Sequence, residues 1–518
     1  MTQEAPPGRL EEVADTVATA RDQPLWAKVI DHTSCIGCHA CTTACKSENE
    51  VPLGVTRTFV KYVDEGVFPN SRRSFQVTRC NMCQDAPCVT ACPTSAMFRR
   101  ADGLVDFDKS ACIGCKACMA ACPYDAIFIN PDDHSAEKCN FCAHRLDQGL
   151  EPACVVVCPT EAILVGDLND PGSRVSQLAQ REPMTVRRPE KDTRPKLFYK
   201  GASQSTLDPL AARRPPGDLY MWSEQGSTVG SGHAVGANSS AAAVVSYDIP
   251  HRVPWDWRVS LYTWTKAISA GVYLVAILAA MLGVLEWGSP LVAWVAPAGG
   301  LVFLALTGAV LIFDLEHPER FWFLFTRPQW RSWLVRGALI ILVYGVVLSL
   351  HLAGSVLGWV GLQQALAVLG VPAGLMTAVY TAYLFAQSRA RDLWQSPLLP
   401  PHIALQALLA GVATLTLAAT AWEPDVVDLL GWGVVAGVVA HLLLVWGEVT
   451  VAHPTVHARL AAREMTRGRH SVWFRWGVAL TAAGLAAPWL GWAALPALAG
   501  LAAYEHAYIQ AGQSVPLA

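Results

Sequence analysis

Beyond residue 255 the chain is a succession of apolar runs, at 267–285, 291–313, 337–360, 365–386, 403–421 and 429–447. Each comes close to the roughly 20 residues that a helix needs to cross a bilayer core. The last portion, 476–513, divides near Gly491 and Trp492 into two shorter helices, so eight spans is the expected count and seven the alternative. Before residue 200 the pattern is short and interrupted: strand-like stretches at 103–107 and 162–166, a turn at Gly114, and brief helical segments. Between the two regions lies a Gly, Ser, Ala and Pro-rich stretch with GSTVGSGHAVGANSSAAA at its centre, too poor in apolar surface to repay the entropy of ordering. The expected division is a flexible N-terminus at 1–24, a small domain at 25–200, a linker at 201–254 and a membrane bundle at 255–518.

Charge gives this bundle a direction. Arg252, Arg258 and Lys266 precede the first apolar run; Arg320, Arg327, Arg331 and Arg336 lie between the second and third; Arg389 and Arg391 follow the fourth; Arg459, Arg463, Arg467, Arg469 and Arg475 follow the sixth. The opposite loops carry no Lys or Arg. Such a bias marks the cytoplasmic side, and it is also the side on which the small domain attaches. Residues 1–24 show no export signal, which agrees with a multi-pass protein of the cytoplasmic membrane whose small domain faces the cytoplasm; the alternative is a partner subunit that carries the signal for the whole complex. A hydrophobic fraction of 52% and a charged fraction of 16% fit a membrane protein, and a net charge of -3 gives no reason to invoke nucleic acid. The basic stretch RRPEKDTRPKLFYK, broken by prolines, reads as an extended segment that wraps the small domain, meets a partner or stays solvated.

The candidate chemistry lies in the small domain. All sixteen cysteines fall there, in four groups of four: Cys35, Cys38, Cys41 and Cys45; Cys80, Cys83, Cys88 and Cys92; Cys112, Cys115, Cys118 and Cys122; Cys139, Cys142, Cys154 and Cys158. Groups one and three have the C-x2-C-x2-C-x3-C spacing, and Pro93, Pro123 and Pro159 follow three of the four last cysteines. Three thiolates close in sequence wrap three corners of a cubane while the fourth comes from another group, as in two-cluster ferredoxins. Sixteen cysteines then match four 4Fe-4S clusters with none left over. Zinc sites or disulfides explain neither the triplet-plus-one spacing nor the prolines. Groups two and three form an inner unit, with Cys80, Cys83, Cys88 and Cys122 as one ligand set and Cys112, Cys115, Cys118 and Cys92 as its neighbour. Groups one and four form an outer unit, with Cys35, Cys38, Cys41 and Cys158 as one set and Cys139, Cys142, Cys154 and Cys45 as the other. The fold class is therefore an α+β ferredoxin-like iron-sulfur domain of two double-cluster units, fused to an all-α polytopic membrane bundle.

The order of the groups, with C-x2-C-x4-C-x3-C-P in the second and C-x2-C-x11-C-x3-C-P in the fourth, resembles the iron-sulfur subunits of molybdopterin oxidoreductases, such as those of dimethyl sulfoxide reductase, polysulfide reductase and respiratory formate dehydrogenase. The membrane region resembles the eight-helix quinone-binding subunits of the same enzymes. DLEHPERFWFLFTRPQW from Asp314 and YTAYLFAQSRARDLW from Tyr380 carry that likeness, with Lys266 and Glu448 adding to it. The resemblance implies a separate molybdopterin subunit holding Mo or W, and menaquinone or ubiquinone drawn from the membrane lipid. It implies no haem, and no His pair at haem-ligand spacing stands out. It also places the inner cluster unit nearer the membrane.

A quinone site needs hydrogen-bond donors for two carbonyls and a proton path in an apolar pocket, and ionisable groups at membrane depth are functional candidates. On the cluster side these are Tyr262, Lys266, Asp314, His317, Thr377, Tyr380, His402 and Glu448. Lys266, Asp314, His317 and Tyr380 are the favoured set, because the resembling family places quinone at the ends of the first four helices. Each also has a plain structural role open to it: interfacial anchoring for Lys266, an aromatic belt for Tyr380, pairing with Arg320 for Asp314. His351, His441, Glu505 and His506 are candidates for proton transfer. The expected function is an electron-transfer and membrane-anchor subunit. The alternatives are a redox-driven proton-translocating module, as in alternative complex III, and a tether that binds no quinone. Beyond Glu286, His351 and Glu423 the half of the bundle remote from the clusters is poor in ionisable groups. Spacing leaves open the partner's substrate, whether formate, sulfite or a sulfur compound, and the direction of electron flow.

Overall fold

The computed structural model describes residues 23–66, 69–213 and 243–518. Nearly all of the expected flexible N-terminus, and the Gly/Ser-rich centre of the expected linker, lie outside the described residues.

The small domain is assembled from short strands between cysteine loops: β1 Trp26–Asp31, β2 Thr58–Glu65, β3 Arg72–Arg79, β4 Met97–Arg99, β5 Val105–Phe107, β6 Ile127–Ile129, β7 Ala136–Lys138, β8 Ile163–Asp167, β9 Met184–Thr185, β10 Leu197–Lys200 and β11 Val244–Tyr247. β1 is the hub of the outer unit. It pairs antiparallel with β8 and parallel with β10, which in turn pairs with β9. Because β1 leads into Cys35 and β8 follows Cys158, this pairing brings the ends of groups one and four together. The Asp31 N–H donates to Ala162 O at 2.8 Å on the way. The β4–β5 hairpin connects the two groups of the inner unit, and the β6–β7 hairpin leads from group three into group four.

Two expectations are refined here. The basic stretch at 187–200 wraps the domain: β10 lies inside the sheet and Arg187 and Arg188 are buried, Arg187 over the Tyr124 ring. The flanks of the expected linker belong to the small domain, since Gln204–Leu207 is helical and β11 adds to β2 as the third strand of a β11-β2-β3 sheet.

The membrane module has six helices long and apolar enough to cross a bilayer among the described residues. These are α1 Trp257–Met281, α2 Leu291–Phe313, α3 Trp333–Val356, α4 Val360–Gln387, α5 Leu399–Trp422 and α6 Pro424–Thr450. A hairpin of α7 Ser471–Ala483 and α8 Ala494–Gln513 completes it. α1–α4 pack as one group and α5–α8 as a second, joined where α1 meets α5 and α8. At that seam Gly271 and Gly411 let two backbones touch: a Cβ on Gly271 would fall 1.8 Å from Ala407 O. Small residues at a helix crossing are the usual solution where lipid removes the hydrophobic driving force. Exposed tryptophans ring both ends, Trp330, Trp446 and Trp473 on the cluster side and Trp359, Trp422 and Trp489 on the other, as in interfacial belts.

α1 begins ten residues before the apolar run read from sequence. Lys266 thus sits inside this helix rather than ahead of it, 1% exposed. The run was obscured because Ser260, Thr263, Thr265 and Lys266 face the bundle interior, where helix–helix contact satisfies them.

Candidate functional site

The cysteine loops of groups one and three share the sequence CIGC and the same backbone. Gly37 and Gly114 both have φ 69°, and the residues after the second cysteine, His39 and Lys116, follow at φ 59° and 61°. This left-handed pair turns the chain so that a short helix starts directly beneath the loop. At Gly114 a second constraint applies, since a Cβ would meet the Glu316 Cβ at 2.4 Å. Only glycine allows the third loop to seat on the α2–α3 connection.

The sixteen thiols are free, and the fold collects them into four sets that cross group boundaries. Cys35 has Cys38, Cys41 and Cys158 as electrostatic neighbours, and Cys45 has Cys139, Cys142 and Cys154. Cys88 is beside Cys80, Cys83 and Cys122, and Cys118 is beside Cys112, Cys115 and Cys92. Each last cysteine has therefore moved to the partner group. Cys92, Cys112, Cys115 and Cys118 line a cavity of about 360 Å³, and Cys35, Cys38, Cys41 and Cys158 line one of about 330 Å³. Among the described residues no three His, Cys, Asp or Glu side chains converge as ligands of a single ion do. Sulfurs arranged around a cavity suit the corners of a cubane instead.

The surroundings fit anionic sulfur. Backbone N–H groups donate to it: Met97 to Cys92 Sγ at 3.3 Å, Gly114 to Cys112 Sγ at 3.4 Å and Ala162 to Cys158 Sγ at 3.2 Å. Two buried cations also reach Cys154, Arg79 Nη1 at 2.9 Å and Lys28 Nζ at 3.8 Å. Burial alone would raise the Cys154 thiol, but Lys28 and Arg79 overcome it and hold it at about 7.

The sets form a row. Cys41 neighbours Cys154, Cys80 neighbours Cys139, and Cys88 neighbours Cys118. The row ends on the membrane module, where Arg320 Nη1 donates to Lys109 O at 3.1 Å and Cys112 O at 2.9 Å, and Ser332 Oγ donates to Ala91 O at 2.9 Å. Trp255 Nε1 donates to Cys115 O at 3.2 Å. Part of the basic bias read from sequence thus has a structural use: Arg320 holds the cluster domain, and Arg391, buried within the membrane module, donates to Gln513 O at the end of α8 at 2.9 Å.

Directly below Cys115 lies a cavity of about 960 Å³ between α1, α2, α3 and α4, with Tyr262, Asp314 and Tyr380 among mainly apolar walls that include Phe321 and Phe325. Asp314 is 7% exposed, with Lys116 Nζ at 3.8 Å and Arg258 Nη1 at 4.0 Å. Burial raises its carboxyl to about 6, although Lys116 and Arg258 draw it down.

A 4Fe-4S dicluster domain model matches residues 72–168, and a polysulphide reductase NrfD model matches residues 246–502. A tetrathionate reductase subunit of Salmonella typhimurium is 41% identical over 207 residues, which are 38% of this chain and 80% of the relative. This protein therefore belongs to the reductase iron-sulfur subunit family. A polysulfide reductase polypeptide of Wolinella succinogenes is 41% identical over 176 residues, 33% of this chain and 92% of the relative. Protein NrfC of Escherichia coli is 44% identical over 176 residues, 33% of this chain and 79% of the relative. Within this family the present chain is a fusion, carrying an NrfD-type multi-pass membrane module on the same polypeptide.

In this fused iron-sulfur subunit the four favoured membrane residues separate. Asp314 and Tyr380 share the large cavity. Lys266 stands behind it, its Nζ 4.6 Å from the centre of the Tyr380 ring and donating to Ala378 O at 2.7 Å and Thr381 Oγ1 at 2.6 Å. His317 is not among the cavity's lining residues; its ring nitrogens meet Asp133 O at 2.9 Å and Glu319 Oε1 at 3.0 Å, so it fastens the two modules. Tyr262 joins the cavity in its place. Lys28 and Arg79 escaped the sequence reading; the available signal was the position of Arg79 immediately before Cys80.

Proposed function

We propose that this chain relays electrons between a separate catalytic subunit and the membrane quinone pool through four 4Fe-4S clusters, one in each cysteine set. The observation that carries this reading is Cys115, which is a wall of both the innermost cysteine cavity and the large membrane cavity. A redox group held there lies against whatever occupies the cavity below. The clusters, when bound, supply one-electron transfer. The remaining work falls to the chain: the cysteine sets hold and space the clusters, the phenylalanine and leucine walls exclude water, and Tyr262, Asp314 and Tyr380 offer hydrogen bonds and protons to quinone oxygens.

The relatives' names support a catalytic reductase partner. We infer that it holds a molybdopterin, Mo or W, and docks at the end of the row remote from the membrane, where Cys38 and Ile36 are exposed. The loops on the cluster side carry the Lys and Arg, which supports a cytoplasmic position for the iron-sulfur domain. Similarity to reductase subunits favours this reading over a proton-translocating module.

Asp314 gives the test. It is faced by Lys116, Arg258, Asp256 and Glu316, and its protonated form is the proton donor to quinone. Quinone reduction is expected to slow as pH rises through about 6, where that proton is lost, and quinol oxidation to quicken as the carboxylate forms. Asp314→Asn should lower turnover about 100-fold, in the range of a lost general acid, and flatten that limb of the pH profile. Steady-state quinone turnover of the purified complex from pH 5 to 8 measures both; an unchanged profile in Asp314→Asn rejects the role.

A further inference from the structure

A second cavity lies behind the first. About 400 Å³ in volume, it opens between α1, α5 and α8 and is lined by Lys266, His402, Gln406, Tyr504 and Glu505, all buried. Glu505 contacts Thr263 and faces the Lys266 charge across the cavity, while its Oε2 is buried without a partner. On the far wall His402 is bracketed, Nδ1 at 2.9 Å from Glu448 Oε1 and Nε2 at 3.0 Å from His441 Nδ1, and Tyr504 OH donates to Glu448 Oε2 at 2.5 Å. Placing a lysine, two carboxyls and two histidines inside a bilayer is expensive, so such a cluster is retained for what it does.

One residue joins this cavity to the first. Thr381 Oγ1 accepts from the Lys266 ammonium at 2.6 Å, the same ammonium lies 4.6 Å from the centre of the Tyr380 ring, and Tyr262 and Tyr380, both in the wall of the first cavity, place their hydroxyls close to Thr381. Glu505, Lys266, Thr381 and the two tyrosines thus make a chain of proton-bearing groups from one cavity to the other. The first cavity needs a second source. Reducing one quinone takes two electrons and two protons, and Asp314 is the one carboxyl among the residues lining that cavity.

We propose that the cavity behind Tyr380 is a proton reservoir that supplies the quinone cavity through Lys266 and Thr381. The inference rests on the quinone reading above. Quinone takes up two electrons, one O–H bond forms at each quinone oxygen, and one of the two protons leaves a tyrosine hydroxyl. The two electrons arrive one at a time, from two of the clusters that the cysteine row would hold, and the other proton leaves Asp314. The tyrosine hydroxyl recovers its proton through Thr381 from the Lys266 ammonium, which recovers its own from Glu505; nothing along the link is oxidised. In quinol oxidation each transfer runs backwards.

The full chain, extracted in detergent and reduced with dithionite, is mixed with a water-soluble short-chain quinone. Cluster oxidation is followed by absorbance and proton uptake by an indicator dye, and the affinity of a hydroxyquinoline N-oxide quinol analogue is measured by fluorescence quenching. Thr381→Val is expected to slow cluster oxidation and proton uptake about 100-fold, the contribution of a positioned proton donor, with analogue affinity unchanged. Thr381→Ser should restore both. Because Thr381 also touches Tyr380, Glu505→Gln provides an independent reading from a residue outside the first cavity, and the same slowing is expected. Wild-type rates in Glu505→Gln, or in a Thr381→Val protein that binds the analogue normally, overturn the link. Failure of the unmodified chain to be oxidised by quinone overturns the function on which the link rests, and with it the link.

Discussion

Cys115→Ala is expected to abolish quinone-linked turnover while most of the iron-sulfur domain remains loaded. Three other cysteines stay in its set, but a cubane corner without its thiolate is the common route to a lost or three-iron cluster, so iron should fall from about sixteen per chain to about twelve if the cluster is lost or about fifteen if three irons stay. The docking contact survives the substitution, because Trp255 bonds the Cys115 carbonyl rather than its sulfur. Nor does the other end of the row depend on Cys115, since Cys35, Cys38, Cys41 and Cys158 gather around a separate cavity. Dithionite should still reduce the three remaining clusters, visible in the EPR spectrum, and added quinone should no longer oxidise them. Retained oxidation at the normal rate would remove Cys115 from the route.

The second large effect concerns the set formed by Cys45, Cys139, Cys142 and Cys154. Arg79 is 1% exposed, and the charges that answer its own are those of Cys154, Cys41 and Cys139. Lys28, 2% exposed, is held over the Phe141 ring at 3.9 Å and also points at Cys154. Burying a cation without an anionic partner costs several kcal/mol, so these two are stable only beside negative sulfur. Reduction adds a further negative charge to a cluster, and fixed cations in a low-dielectric setting favour that step. Arg79→Gln is therefore expected to lower one midpoint potential by roughly 100 mV, the one-electron equivalent of about 2 kcal/mol for a charge-assisted hydrogen bond. Arg79→Lys should recover most of it. A redox titration followed by EPR resolves the change; equal shifts in all clusters, or none, would show that Arg79 acts only on packing.

Legibility in the sequence follows the range of the chemistry involved. The grouping of the thiols was readable because the triplet-plus-one spacing is local, and β1–β8 pairing then brings Cys158 to Cys35. The start of α1 was not, because a helix buried on most sides tolerates Ser260, Thr263 and Lys266, and apolar-run counting takes those positions for the end of a span. His317 shows the limit of position along the chain: it sits at a helix end like Asp314, three residues earlier, yet the turn that follows aims its ring at Asp133 O. The large cavity depends on Trp255, Phe321 and Phe325, which on composition alone are indistinguishable from an interfacial belt. Thr381 carried no sequence signal, since a threonine in an apolar helix usually bonds its own backbone.

The most direct test of the central claim is rapid mixing of the dithionite-reduced, full-length chain with a short-chain quinone, alongside iron and labile sulfide analysis of the same sample. About sixteen iron per chain, with every cluster signal oxidised by quinone and the oxidation blocked by a quinol analogue, is the predicted result. A fully loaded chain whose clusters stay reduced in the presence of quinone would contradict the account, and would leave the cavity beneath Cys115 without an electron-transfer role.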